Sequence, residues 1–432
     1  MSAATPATLR AVPPRFAEAA VFWFRFGWIS FGGPAGQIAL MHRELVTKRG
    51  WLSERGFLRA LNFCSMLPGP EAHQLAVWIG WRLHGMRGAI AAGTLFVLPS
   101  ALILLALSWL YMVGGGMDGV QGLFRGLAPA VLAIVFTAWK RIAGKALDDG
   151  FLRVLALAAF VALFFFDAPY LAIVAAAALA GLASSRWFAR SHACPADADD
   201  LMPTARIPSH RRMALLLVVG MALWWMPVLL AGWLGGRDGV HFQMGLLFSK
   251  AALVTFGGAY AVLPYVSQIA VGHHGWLDQT QMMAGLALAE STPGPLVMVL
   301  QFVGFVGAWQ HPGVWSPPAS ALVGAAIATW TTFLPSSLIV LLAAPFVESI
   351  QRHRAVALAL RGIQAAVAGV ILDLACAFGS HVLRDSDGGI DGFAIITALL
   401  AWLAMDRFRI GVVPVLAVCG ATGVALALFQ PG

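Results

Sequence analysis

Apolar windows of about twenty residues, nearly empty of charge, follow one another along this chain and are parted by short polar loops. A helix of that length crosses a bilayer, whereas a membrane β-barrel would show alternating segments of about ten residues. The pattern predicts apolar elements over 16–40, 57–81, 88–112, 120–139, 151–166, 169–187, 213–234, 241–264, 282–308, 319–347, 355–379, 391–404 and 410–429. Residues 1–15 read as a polar tail, and 188–212, with its Asp, Pro and Arg, as a cytoplasmic linker.

Helix breakers interrupt several of these elements. Phe31-Gly32-Gly33-Pro34-Ala35-Gly36 and Leu67-Pro68-Gly69-Pro70-Glu71 return as Phe256-Gly257-Gly258 and Thr292-Pro293-Gly294-Pro295, each 225 positions later, in register with Gly50-Trp51-Leu52 and Gly275-Trp276-Leu277. Farther on, Phe96-Val97-Leu98-Pro99-Ser100 and Arg125-Gly126 return as Thr332-Phe333-Leu334-Pro335-Ser336 and Arg361-Gly362, 236 positions later. Such registers mark a duplication. The expected fold is an all-α polytopic membrane protein of two repeats, 16–187 and 235–432. Each holds about six helical elements, and one extra helix, 213–234, joins them.

Charge sets the orientation. The loop 41–59 carries Arg43, Lys48, Arg49, Arg55 and Arg59, and its counterpart 266–284 has no lysine or arginine. Because cytoplasmic loops collect positive charge, the two loops are expected on opposite faces, which makes the repeats inverted. If each broken element enters and leaves by one face as a re-entrant hairpin, nearly every basic loop becomes cytoplasmic, Arg237 and Arg384 excepted. Backbone irregular at that depth needs protein or a wet cavity around it.

Composition agrees: 59% of residues are hydrophobic and 11% charged, against about a quarter charged in soluble domains. The net charge of +8 comes from short loops without interleaved aromatics, so topology explains it and nucleic acid does not. Cys64, Cys194, Cys376 and Cys419 are scattered, implying neither a disulfide framework nor a thiolate metal site. The first apolar run carries Arg25 and lacks a cleavage site, so no cleaved signal peptide is expected. Paired acids or a His-Glu-x-x-His pattern are missing from the sequence, which argues against an enzyme, and no cofactor is expected.

The breaks point to anion binding. A helix broken within the membrane presents free N–H groups and a positive dipole end, and glycine lets backbone approach a ligand closely. The candidate binding residues are Gly33, Pro34, Gly36, Gly69, Pro70, Glu71, Gln74, Gly257, Gly258, Thr292, Gly294 and Pro295. Arg25 and Lys250, and Arg125 and Arg361, are repeat-related cations in apolar segments, where an idle charge is costly. Either snorkelling or anion binding accounts for them. Glu71, His73 and Glu290 are candidates for handling a proton, with helix capping the alternative for Glu71 and packing for His73. Asp373 is expected to pair with Arg361 or another cation.

At these blocks, with Gln37-Ile38-Ala39 and Ala72 beside them, the sequence resembles the chromate ion transporter family in its long, two-domain form. The resemblance implies a protein of the bacterial inner membrane that exports chromate and confers chromate resistance. It also suggests sulfate, a similar tetrahedral dianion, as a related ligand. A passive anion channel on the same architecture is the alternative. The sequence fixes no oligomeric state; a homodimer is one assembly it allows.

Overall fold

The structure is a computed structural model and describes residues 14–184, 209–347, 353–384 and 389–429. Most of the expected tail and linker therefore lies outside the described residues. The linker's last residues, His210–Arg212, belong instead to the helix that follows, which runs from His210 to Gly235.

Among the described residues there are helices and no strands. The first half comprises α1 (Phe16–Ile29), α2 (Gly33–His42), α3 (Glu54–Cys64), α4 (Glu71–Gly114), α5 (Asp118–Ala146), α6 (Gly150–Phe166) and α7 (Tyr170–Ala183). Then come α8 (His210–Gly235), α9 (Val240–Val254), α10 (Leu263–Ser267), α11 (Gln279–Ser291), α12 (Val299–Gln310), α13 (Pro317–Ala343), α14 (Arg354–Val382), α15 (Gly392–Asp406) and α16 (Val412–Phe429). Among the described residues, six stretches are long and apolar enough to cross a membrane: Glu71–Gly114, Asp118–Ala146, His210–Gly235, Pro317–Phe346, Ala355–Val382 and Val412–Phe429. The chain is an all-α, multi-pass membrane protein.

Helix boundaries keep the sequence registers. α3 begins at 54 and α11 at 279; the π-helical turns Arg43–Lys48 and Gln268–His273 follow α2 and α10; α5 and α14 are offset by 236 at both ends. Local chemistry explains these starts and stops. Ser53 caps α3 by accepting from the Gly56 N–H (3.1 Å), and Asp278 with Gln281 forms a capping box on α11. Gly50 and Gly275 each have φ of 60°, a left-handed turn open to glycine. It seats Trp51 and Trp276, whose N–H groups donate to Leu45 O and Ala270 O at 2.8 Å.

α4 is two helices. His84 (φ −137°) and Gly85 (φ 62°) are non-helical, and the arms 71–83 (α4a) and 86–114 (α4b) fold back on each other. Gly80 lies so close to Gly88 and Ala92 that a Cβ on Gly80 would strike both, and Gly93 meets Val77 and His73. α12 and α13 form the matching hairpin, with Gly304 against Gly324 and Ala328. Small residues permit such backbone approach, which drives association where lipid removes the hydrophobic incentive.

The broken elements return to the end they came from. Arg49, past α2, reaches Glu18 near the start of α1 (3.8 Å) and stacks over Phe22 at 5.1 Å. His84 Nε2, at the end of α4a, donates to Pro14 O (2.8 Å). In the second half, Gly239 before α9, His274 after α10 and His311 after α12 line one shallow cavity. The two bases lie at opposite ends of α4b, about 43 Å long at 1.5 Å per residue. Its start adjoins His84, and Trp109 near its end packs on Trp309 (5.6 Å).

Inside, the breaks of the two halves meet. Gly69 N–H donates to Thr255 O (2.7 Å), and Gly294 N–H donates to Ser30 O (2.9 Å). The residues of each bond are the 225-shifted counterparts of the other's. Gly69 has φ of 131° and Gly294 of 110°, values that side chains rarely adopt. Added Cβ atoms there would collide with Ser336 and Ser100. Gly69→Ala and Gly294→Ala are each expected to destabilise the protein by about 1–3 kcal/mol. Thermal unfolding of purified protein in detergent checks this.

Candidate functional site

The crossing of the breaks is built from helix ends. α1 stops at Ser30 and α2 restarts at Gly33-Pro34 after Gly32 (φ 92°) and Gly33 (φ 65°). α9 stops at Val254, and Gly257 (φ 82°) and Gly258 (φ 102°) lead into the 3-10 turn Ala259–Ala261. α3 ends before Pro68-Gly69-Pro70, from which α4a starts at Glu71; α11 ends before Pro293-Gly294-Pro295, which leads through the turn Leu296–Met298 into α12. Proline suits such restarts because its missing N–H is one of the free donors anyway.

Gln37 clasps the crossing, donating from Nε2 to Ser30 O (3.3 Å) and to Gly294 O. Gln74 donates from Nε2 to Pro68 O (2.6 Å) beside Gly69. The structure thus brings Gly69 and Gln74 together with Thr255 and Ser336, and Gly294 together with Ser30, Gln37 and Ser100. Thr292 turns its hydroxyl back to Ala289 O (3.1 Å). Gly33, Pro34 and Gly36 begin α2 in half-exposed positions next to Phe31, 42% exposed, whereas Gly258, Ala259 and Tyr260 are buried. The first-half break is open to the surface and the second-half break is closed.

The three proton candidates have different surroundings. Glu71 is the half-buried first residue of α4, with Pro70 rather than a side chain at the cap. His73 is buried, edge-on to Phe333 (4.8 Å). Glu290 is 3% exposed and accepts the Tyr260 hydroxyl hydrogen bond. That bond joins the end of α11 to the turn after Gly258, tying together both breaks of the second half.

The four expected cations are spread out. Arg361 binds Asp148 of the α5–α6 turn (2.8 Å), so Asp373 is not its partner. Arg125 faces Asp391 at the start of α15 (3.8 Å) on the wall of a cavity of about 480 Å³ that also holds Thr280 and His381. Arg25 and Lys250 are exposed; Arg25 shares its outer face with Val21 and Trp28, and Lys250 with Leu253. Among the described residues, Arg141 lies within electrostatic reach of Glu290, and Lys145 within that of Glu71, with no ion pair formed. They sit one turn apart on α5, both exposed. Their i, i+4 spacing is legible in the sequence, but lysine and arginine at a helix end serve equally as a topology signal. Gln37, Ser100, Ser336 and Tyr260 are further residues of the crossing that the sequence did not single out.

With this geometry in place, comparison with known proteins is informative. The chromate transporter family matches residues 17–182 and 242–424, that is, both halves. A chromate transport protein of Pseudomonas aeruginosa is 33% identical over 443 residues, covering 98% of this chain and 95% of its own. One from Cupriavidus metallidurans is 28% identical, covering 90% and 88%. A probable chromate transport protein of Synechococcus elongatus is 26% identical, covering 88% of each. No solved structure gives a significant match. Aligned through both halves and along nearly its whole length, this chain belongs to the chromate transporter family.

Proposed function

We propose that this protein is a secondary transporter that exports chromate across the bacterial inner membrane and thereby confers chromate resistance. The observation that carries the reading is the reciprocal bonding of the two breaks, Gly69 to Thr255 and Gly294 to Ser30, in a chain whose relatives are named for chromate transport. Two copies facing opposite ways, hairpins meeting between them, give a binding position that either side can reach in turn. The open first-half break and closed second-half break represent one of the two states. N–H groups at Gly33–Gly36, Glu71, Gly258–Ala259 and Leu296 bind the oxyanion, while those of Gly69 and Gly294, engaged with Thr255 O and Ser30 O, hold the breaks together instead of serving as donors; sulfate is the expected competitor.

Arg141 and Lys145 supply the charge that draws the anion toward the open break. Arg25 and Lys250, on the outer faces of α1 and α9, fit snorkelling better than anion binding, and Arg125 lines a separate cavity. In this reading the chromate dianion leaves with the inside-negative potential, and Glu290 is the group through which a proton acts on the second hairpin.

Cells producing the protein are expected to accumulate less chromate than cells without it, and sulfate to compete in vesicles. Flux that only follows the chromate gradient and the potential, indifferent to an imposed pH gradient, would make the protein a channel. Replacing Arg141 and Lys145 together by alanine is expected to lower the rate several-fold at low ionic strength, with the deficit shrinking as salt screens the field. Glu290→Gln keeps an acceptor for Tyr260 and so is expected to fold. Its flux should ignore an imposed pH gradient that changes the wild-type rate.

A further inference from the structure

Ser100 and Ser336 follow the internal prolines of α4b and α13, 236 positions apart. They are 1% and 0% exposed, and neither hydroxyl has a hydrogen-bond partner. Other hydroxyls on the same two helices turn back to the carbonyl four residues earlier: Ser108 to Leu104 (2.7 Å), Thr331 to Ile327 (2.7 Å), Thr332 to Ala328 (2.7 Å) and Ser337 to Phe333 (2.9 Å). That return bond is the default for serine and threonine in a helix. These two serines forgo it. Each lies against the Pro-Gly-Pro glycine of the other half: Ser336 against Gly69, and Ser100 against Gly294.

Three more buried polar atoms at the crossing lack partners: Gln37 Oε1, Gln74 Oε1 and His73 Nδ1. Leaving such a group unpaired costs about 1–3 kcal/mol, and native interiors hold few of them. Five gathered at the two breaks, with the serine pair obeying the repeat register, are more than packing requires. A hydroxyl offers one donor that can turn toward an oxyanion. Being neutral, it does not trap a dianion as an arginine would, and a transport site must release what it binds.

We propose that Ser100 and Ser336 are substrate-binding donors, one at each Pro-Gly-Pro break, that hydrogen-bond the tetrahedral oxyanion as it passes. The inference rests on the oxyanion-transport reading above. In the described conformation both hydroxyls are covered. Movement of a hairpin away from its serine opens the donor beside the free N–H groups of the break, so the two serines serve the two states in alternation.

The test uses the full chain in proteoliposomes, with labelled sulfate and chromate as probes and thermal unfolding in detergent alongside. Ser100→Ala, Ser336→Ala and the double variant each delete an unpaired group. They are expected to be at least as stable as the wild type while raising the KM for chromate about tenfold, the worth of one hydrogen bond to a charged group. The protection against unfolding that sulfate gives the wild type should fall in parallel. Unchanged KM and unchanged protection would overturn the proposal, and so would variants that fail to fold, which would make the hydroxyls structural. A wild type that moves neither anion would sink the transport reading itself, and this inference with it.

Discussion

Where Gly69 donates to Thr255 and Gly294 donates to Ser30, each broken helix finds in the other half the partner that its own break removed. At bilayer depth an unpaired backbone group costs several kcal/mol, so a break persists only if something nearby repairs it. Here the repair is mutual. It dictates glycine at 69 and 294, because the required φ values lie in the left-handed region and Ser336 and Ser100 fill the space a Cβ would need. It also seats one break against Ser336 of α13 and the other against Ser100 of α4b.

The frame is shared by the two halves, but the side chains on it are not. Gln37 corresponds to Val262, Gln74 to Val299, His73 to Met298, Glu290 to Ser65 and Tyr260 to Ala35. Arg141 has Ala377 as its counterpart. The backbone therefore offers similar stations to both sides, while the chemistry around them differs. The first half carries neutral amides and an open break; the second is closed and latched by Tyr260 on Glu290.

Much of the fold was legible because glycine and proline are rare guests in apolar helices, and their recurrence at 225 and 236 located the breaks directly. The expected starts at 57 and 282 fell three residues late in both halves, because Ser53 and Asp278 cap the helices before the apolar run begins. What the sequence could not reveal was which cations mattered. Arg361 sits in an apolar stretch, yet its long side chain reaches Asp148, a carboxylate 213 residues away whose proximity depends on how α14 packs on α5 and α6. Tyr260 and Glu290 are likewise brought together by the fold, not by spacing. The two serines were visible within the Leu-Pro-Ser motifs, but their missing partners could be seen only once every neighbour was placed.

The reciprocity of the central bonds also bears on how the protein is made. Ribosomes add about 5–20 residues per second, so Gly69 and Ser30 emerge on the order of ten to forty seconds before Gly294 and Thr255 exist. During that interval the first pair of hairpins has an exposed amide and carbonyl with no protein to answer them, which favours holding them at the wet margin of the membrane. Seating them deeply must await insertion of the second half, after α8 has carried the chain across. Vectorial synthesis thus leaves the nascent amino-terminal half an unfinished client of the insertion machinery until its own duplicate arrives.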